Sequence, residues 1–142
     1  MAIAVNKDSV KFRFKDLGIV DNHTIFTTAR RGLKVNVFYD FAAAIKMSEK
    51  NLASLINLSS RTISNYKLRK KPFEPSSSEH LLKLIALYEM GEEVFGAIDE
   101  FNYWLNKPYW NSKERPIDWL ITPGGVDLVM EEIDQLQQGY PV

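Results

Sequence analysis

Ser48-Glu49-Lys50-Asn51-Leu52-Ala53-Ser54-Leu55-Ile56-Asn57-Leu58-Ser59-Ser60-Arg61-Thr62-Ile63-Ser64-Asn65-Tyr66-Lys67-Leu68-Arg69-Lys70-Lys71 is the stretch of this 142-residue chain that says most about its fold. Ser48 and Ser59 are residues whose hydroxyls cap helix starts. The spacing therefore predicts one helix over about residues 49–56 and a second over about 60–69, joined by the turn Ile56-Asn57-Leu58. Asn57 stands where such a turn takes left-handed backbone, which Asn tolerates better than most residues other than Gly. Small Ala53 lets the two helices cross closely. With Leu52, Ile56, Leu58, Ile63 and Tyr66 turned inward, Ser60, Arg61, Ser64 and Asn65 face outward. That is helix-turn-helix spacing, and the outward four can reach base edges in a major groove, Arg suited to guanine and Asn to adenine. Lys67, Arg69, Lys70 and Lys71 follow at once and suit phosphates.

Outward from this unit the chain reads as helix. A short helix over about residues 24–31 should stop at Gly32, and Val37, Phe38, Phe41, Ala42 and Ile45 give the apolar stripe of a helix over about 36–46. The Pro- and Ser-rich segment 71–78 reads as a loop and an internal boundary. Beyond it, Leu81 to Tyr88 form a helix expected to end near Gly91, and Val94 to Leu105 form another, stopped by Lys107-Pro108. Pro116 opens a short turn, and Val126, Val129, Met130, Ile133 and Leu136 mark a last helix over about 123–138. Residues 9–15 depart from the pattern: Val10, Phe12 and Phe14 alternate with Lys11, Arg13 and Lys15, which is strand periodicity. The expectation is an all-α chain in three parts: an arm over 1–20, strand-like or disordered; a helix-turn-helix region over 21–71; and a small helical domain over 72–142.

Charge follows the same division. The whole chain carries 18 Lys and Arg against 18 Asp and Glu, and its net charge is zero. Residues 1–71 hold 14 basic against 5 acidic side chains, and residues 72–142 hold 4 against 13. A structural hairpin needs no such excess of cations, whereas a phosphate-facing one does. With 45% apolar and 12% aromatic residues the chain can bury a core, so intrinsic disorder is excluded as its general state. It has no cysteine, which removes disulfide frameworks, thiolate metal sites and a Cys nucleophile. The apolar start 1–5 is too short for a signal peptide and no run of 18 apolar residues occurs, so the expectation is a soluble cytoplasmic protein with no membrane partner.

Nothing in the chain assembles an enzyme site. His23 and His80 are the only histidines, far apart and without a second ligand at metal spacing. Gly124-Gly125 lacks the Lys-Ser/Thr of a phosphate loop. The carboxylate pairs Glu92-Glu93 and Glu131-Glu132 are adjacent in sequence and diverge on a helix. No catalytic residue, metal or cofactor is expected. Trp104, Trp110 and Trp119 fall within 16 residues; Trp104 and Trp119 read as staples of a small helical domain, and Tyr109-Trp110, in a Pro- and Asn-flanked loop, as a partner surface.

An ordered set of short motifs runs from about residue 28 to the end: Arg31-Gly32-Leu33, Ser60-Arg61-Thr62-Ile63, Glu74-Pro75-Ser76-Ser77-Ser78-Glu79, Glu93-Val94-Phe95-Gly96, Trp104-Leu105-Asn106-Lys107-Pro108, Arg115-Pro116-Ile117-Asp118-Trp119-Leu120, Thr122-Pro123-Gly124-Gly125 and Gly139-Tyr140. In order and spacing this resembles the Xre/MbcA/ParS antitoxin family. The resemblance implies an Xre-like DNA-binding region and a C-terminal toxin-binding domain. The partner it implies is a toxin, commonly a RES-domain enzyme that consumes NAD+, and it further implies repression of the antitoxin's own operon by a homodimer. By the same resemblance Arg61 and Thr62 fall on the recognition-helix motif, Trp104, Leu105 and Pro108 on a Trp-Leu-x-x-Pro motif, and Arg115, Pro116 and Asp118 on an Arg-Pro-x-Asp motif. Gly125 and Gly139 fall on C-terminal glycines. The loop Tyr109-Trp110-Asn111-Ser112-Lys113 and the first 20 residues depart from the pattern.

The expected toxin-binding set is therefore Tyr109, Trp110, Arg115, Gln137, Gln138, Gly139 and Tyr140, with Tyr140 as an aromatic anchor and the two glutamines offering amide hydrogen bonds. The acidic residues Glu92, Glu93, Asp99, Glu100, Glu131, Glu132 and Asp134 would steer a basic partner face. The alternative is a stand-alone helix-turn-helix regulator whose acidic half serves dimerisation or ligand sensing. Four phosphate contacts per protomer, doubled in a dimer, should give a log-log salt slope of roughly −7 in DNA binding. Electrophoretic shift across a salt series measures it, and a slope near zero would contradict the assignment.

Overall fold

The structure, a computed structural model, describes residues 6–139. Within them the chain is all-α: α1 (Val10–Arg13), α2 (Asn22–Arg31), α3 (Val35–Ala44), α4 (Glu49–Leu55), α5 (Ser60–Leu68), α6 (Pro75–Phe95), α7 (Ile98–Asn106) and α8 (Pro123–Gln137), with 3-10 turns at Lys15–Leu17 and Pro116–Ile121. The 21-residue α6 is the axis. It is packed by α1, α2, α7 and α8, and buries Leu81, Leu82, Leu84, Ile85, Leu87 and Tyr88 completely. Aromatic rings continue the core sideways: Phe41 of α3 meets Tyr88 edge-on at 5.5 Å, Tyr88 meets Phe101 at 5.1 Å, and Phe101 stacks on Phe95 at 5.6 Å.

Three expectations are corrected. Residues 9–15 form a helical turn, with the Ser9 hydroxyl accepting from the Phe12 N–H, and no strand occurs among the described residues. Val10 and Phe14, four apart, go into the core together, and Phe14 meets Phe41 at 5.8 Å. The Val10 N–H donates to Glu92 Oε1 at 2.8 Å, which ties the segment to α6. Second, α6 starts inside the expected loop, with Pro75 in its first turn where the missing N–H costs nothing. Ser78 there is fully buried; its hydroxyl accepts the Leu33 N–H at 2.9 Å, and the Phe73 N–H donates to Leu33 O at 2.9 Å. Third, α6 runs through Gly91 and stops at left-handed Gly96. Gly91 is small because the Phe101 ring lies against its Cα where a Cβ would stand.

The core is continuous across Lys71, from Val10 to Ile133 in one cluster of buried side chains. The two sides of the chain also meet outside it. Asn102 Nδ2 donates to Ile45 O at 2.9 Å, Asn57 Nδ2 donates to Ile121 O at 3.0 Å, and Lys46 pairs with Asp99 at 2.9 Å.

His80 is buried, and its Nε2–H donates to Leu120 O at 2.8 Å, fastening α6 to the 3-10 turn before α8. Burial holds its pKa below the ordinary histidine value. Folding thus favours neutral His80: this stability is complete above about pH 6.5 and is lost as pH falls from there toward the depressed folded value, because the unfolded chain takes up the proton first. The drop in thermal midpoint between pH 7.5 and 5.5 should accordingly be larger for the native protein than for His80→Gln, measured by circular dichroism.

Candidate nucleic-acid interface and partner-facing surface

The turn between α4 and α5 is built as its sequence demands. The Ser48 hydroxyl accepts from Asn51 N–H, the Ser59 hydroxyl accepts from Thr62 N–H at 3.0 Å, and Asn57 has φ +60°. Leu52, Ile56 and Ile63 are buried and Leu58 and Tyr66 half-buried, which fixes the rotation of α5. Ser60, Arg61, Ser64 and Asn65 are consequently all exposed on one face of α5. Among the described residues none of these four side chains hydrogen-bonds to the protein, so their donors and acceptors are free for a ligand. Arg69 and Lys70 are exposed beyond them. Lys67 Nζ lies over the Tyr39 ring at 4.8 Å, and Lys71 Nζ lies 5.5 Å from the Tyr66 ring centre and 3.6 Å from Glu74. Periodicity did not show those aromatic supports, because Tyr39 belongs to α3. Leu68 was also missed: it is 82% exposed at the end of α5, an apolar side chain on an otherwise polar face.

The partner-facing set is dispersed. Tyr109 is half-buried, its ring 5.6 Å from Trp119 and its hydroxyl donating to Glu132 Oε1 at 2.7 Å. Burial raises the pKa of both groups, Tyr109 far above the ordinary phenol value, while the hydrogen bond from Tyr109 partly offsets the rise at Glu132. Trp110 beside it is 92% exposed. Arg115 is engaged within the protein: its guanidinium binds Asp118 at 3.0 Å and its backbone N–H donates to the same carboxylate. Those bonds hold Asp118 below the usual carboxylate range and start the 3-10 turn. Arg115 borders a hollow with Asn51 and Leu55 of α4, whereas Gln137 borders a different groove with Asp21, which caps α2, and Glu89 of α6. Gln138 is exposed, its amide bonded to Asp134, and Gly139 has φ +83°. Tyr140 lies outside the described residues. Exposed Ile121 and Leu128, which border one shallow hollow with Trp119, were not singled out by sequence, since neither falls on the apolar stripe that marks the last helix.

Among the described residues no group of acidic or histidine side chains could hold a metal ion, and no helix is long and apolar enough to cross a membrane. Residues 25–86 match the family model for the antitoxin Xre-like helix-turn-helix domain. The matched stretch takes in α3, α4 and α5 whole and ends within α6, so it crosses Lys71. The chain thus carries an N-terminal Xre-like helix-turn-helix domain in an all-α fold, a domain type that binds DNA in regulators. No curated protein matches the chain.

Tyr109 and its neighbour separate folding from display. Tyr109→Phe leaves a partly buried carboxylate without its donor and should destabilise by about 1–3 kcal/mol. Trp110→Ala should stay within about 0.5 kcal/mol of the native protein. Urea unfolding checks both.

Proposed function

We propose that this protein is an antitoxin that represses its own operon through the helix-turn-helix and neutralises a cognate toxin through residues 72–142. The observation that carries the reading is the coincidence of the family match with a free, basic α5 face. Arg61 and Asn65 read bases, with Ser60 and Ser64 beside them, and Lys67, Arg69, Lys70 and Lys71 hold backbone phosphates. A homodimer presents two such helices to two half-sites, and the protein works in the cytoplasm, where its operator is.

The toxin is a RES-domain enzyme that consumes NAD+, as the ordered motifs from residue 28 onward suggest. Exposed Glu93, Glu100 and Glu131 stand outside every ion pair among the described residues and attract a basic toxin face. Trp110 provides an apolar anchor, and the tail from Gln137 to Tyr140 approaches the toxin's cleft.

The test is co-expression with the adjacent reading frame. The native protein should restore growth and co-purify with the neighbour, and a chain lacking residues 139–142 should lose protection while still shifting operator DNA. Arg61→Ala should do the reverse, weakening operator binding by about 1–3 kcal/mol with protection intact. A harmless neighbour that does not co-purify would instead identify a stand-alone regulator.

A further inference from the structure

At the C-terminal end of α5, a hollow of about 520 Å³ opens between the turn after α2 and the turn after α5. Five cations border it: Arg31, Lys34, Lys67, Lys70 and Lys71. No carboxylate is among its lining residues. Lys71 alone has an acidic partner, Glu74 at 3.6 Å; Arg31, Lys34, Lys67 and Lys70 are in no ion pair among the described residues. Like charges gathered with a single counter-charge at their edge repel, and the arrangement persists only if the fold imposes it.

The fold does impose it. Leu33 and Phe73 are tied backbone to backbone, Ser78 takes the Leu33 N–H, and the Gly32 Cα sits so close to Pro72 and Phe73 O that a side chain there would collide. The two turns are thereby locked face to face, more than thirty residues apart in sequence. Lys70 lies just past the end of α5 in the same region. Its backbone is left-handed, φ +53°, a conformation in which glycine is less costly than lysine.

We infer that this hollow is a phosphate site, holding a backbone phosphodiester of duplex DNA beside the groove that α5 enters, with Arg31 and Lys34 as binding residues outside the helix-turn-helix. The inference rests on the DNA-binding reading above and extends the footprint to the turn after α2. Arg31 contributes a forked donor pair and the lysines contribute mobile charge, a combination suited to an oxyanion and indifferent to base identity.

The experiment uses the full chain, fluorescence anisotropy, and two duplexes: one spanning the region upstream of the coding sequence and one of scrambled sequence. Arg31→Gln/Lys34→Gln should weaken binding to both duplexes by a similar factor, roughly tenfold, and lower the salt slope by about 1 per protomer, whereas Arg61→Ala should affect only the upstream duplex. Lys70→Gly supplies a separate readout: it should raise the unfolding midpoint, by relieving the backbone, while weakening DNA binding. A purely structural role would move both the same way and overturn the inference. Unchanged DNA affinity in the Arg31/Lys34 double variant overturns it too and leaves the DNA-binding reading standing. A native protein that binds neither duplex overturns both. Titration with inorganic phosphate alone distinguishes the other source: saturation at micromolar phosphate, abolished in the double variant, would make the hollow a site for free phosphate and overturn its assignment to DNA.

Discussion

A helix apolar nearly all the way round is stable only when neighbours cover every side of it, and α6 sets that condition for the whole molecule. Its leucines are capped by α2 on one flank and α8 on another, and Tyr88 reaches Phe41 of α3 and Phe101 of α7 at once. Among the described residues the Tyr88 hydroxyl has no hydrogen-bond partner, and burial drives its pKa far upward. The ring is retained at the cost of an unsatisfied polar atom, which marks how strongly packing dominates at this point.

Because α6 belongs to the acidic side of the chain and packs against α1 and α2 of the basic side, the buried side chains of the two sides form one core. The Leu33–Phe73 and Leu33–Ser78 bonds reinforce the same union. Opposite net charge is not what joins the two sides. Their direct ion pairs among the described residues, Lys46–Asp99 and the local Lys71–Glu74, are exposed at both ends and are each worth about 0–1 kcal/mol, little beside the burial of aromatic and leucine side chains. The charge division therefore bears on ligands more than on stability.

Much of this was legible in sequence because period and caps spoke together: Ser48, Asn57 and Ser59 delimit α4 and α5, and the inward stripe through Ile63 fixes which side of α5 is free. Legibility failed where two patterns share a spacing. Val10 and Phe14 satisfy strand alternation and a helical i, i+4 pair equally well, and only the Phe41 and α6 surface they meet decides between them. Gly91 reads as a stop when its use is to admit Phe101, and Pro75 reads as loop when it begins a helix. The partner-facing residues share no period; Arg115 is spent on Asp118, and Tyr109 on Glu132, choices that depend on α8 lying where it does. The cations around the hollow at Lys70 come from both ends of a long chain excursion, beyond any local reading.

Asn57 serves two masters. Its backbone satisfies the left-handed turn ahead of α5, and its side chain holds the carbonyl of Ile121, two residues before α8 begins. A glycine would suit the first duty and abandon the second. The angle at which α5 is presented and the course of the chain into α8 are therefore one mechanical variable, and a force applied at Ile121 is felt first by the turn that aims Arg61.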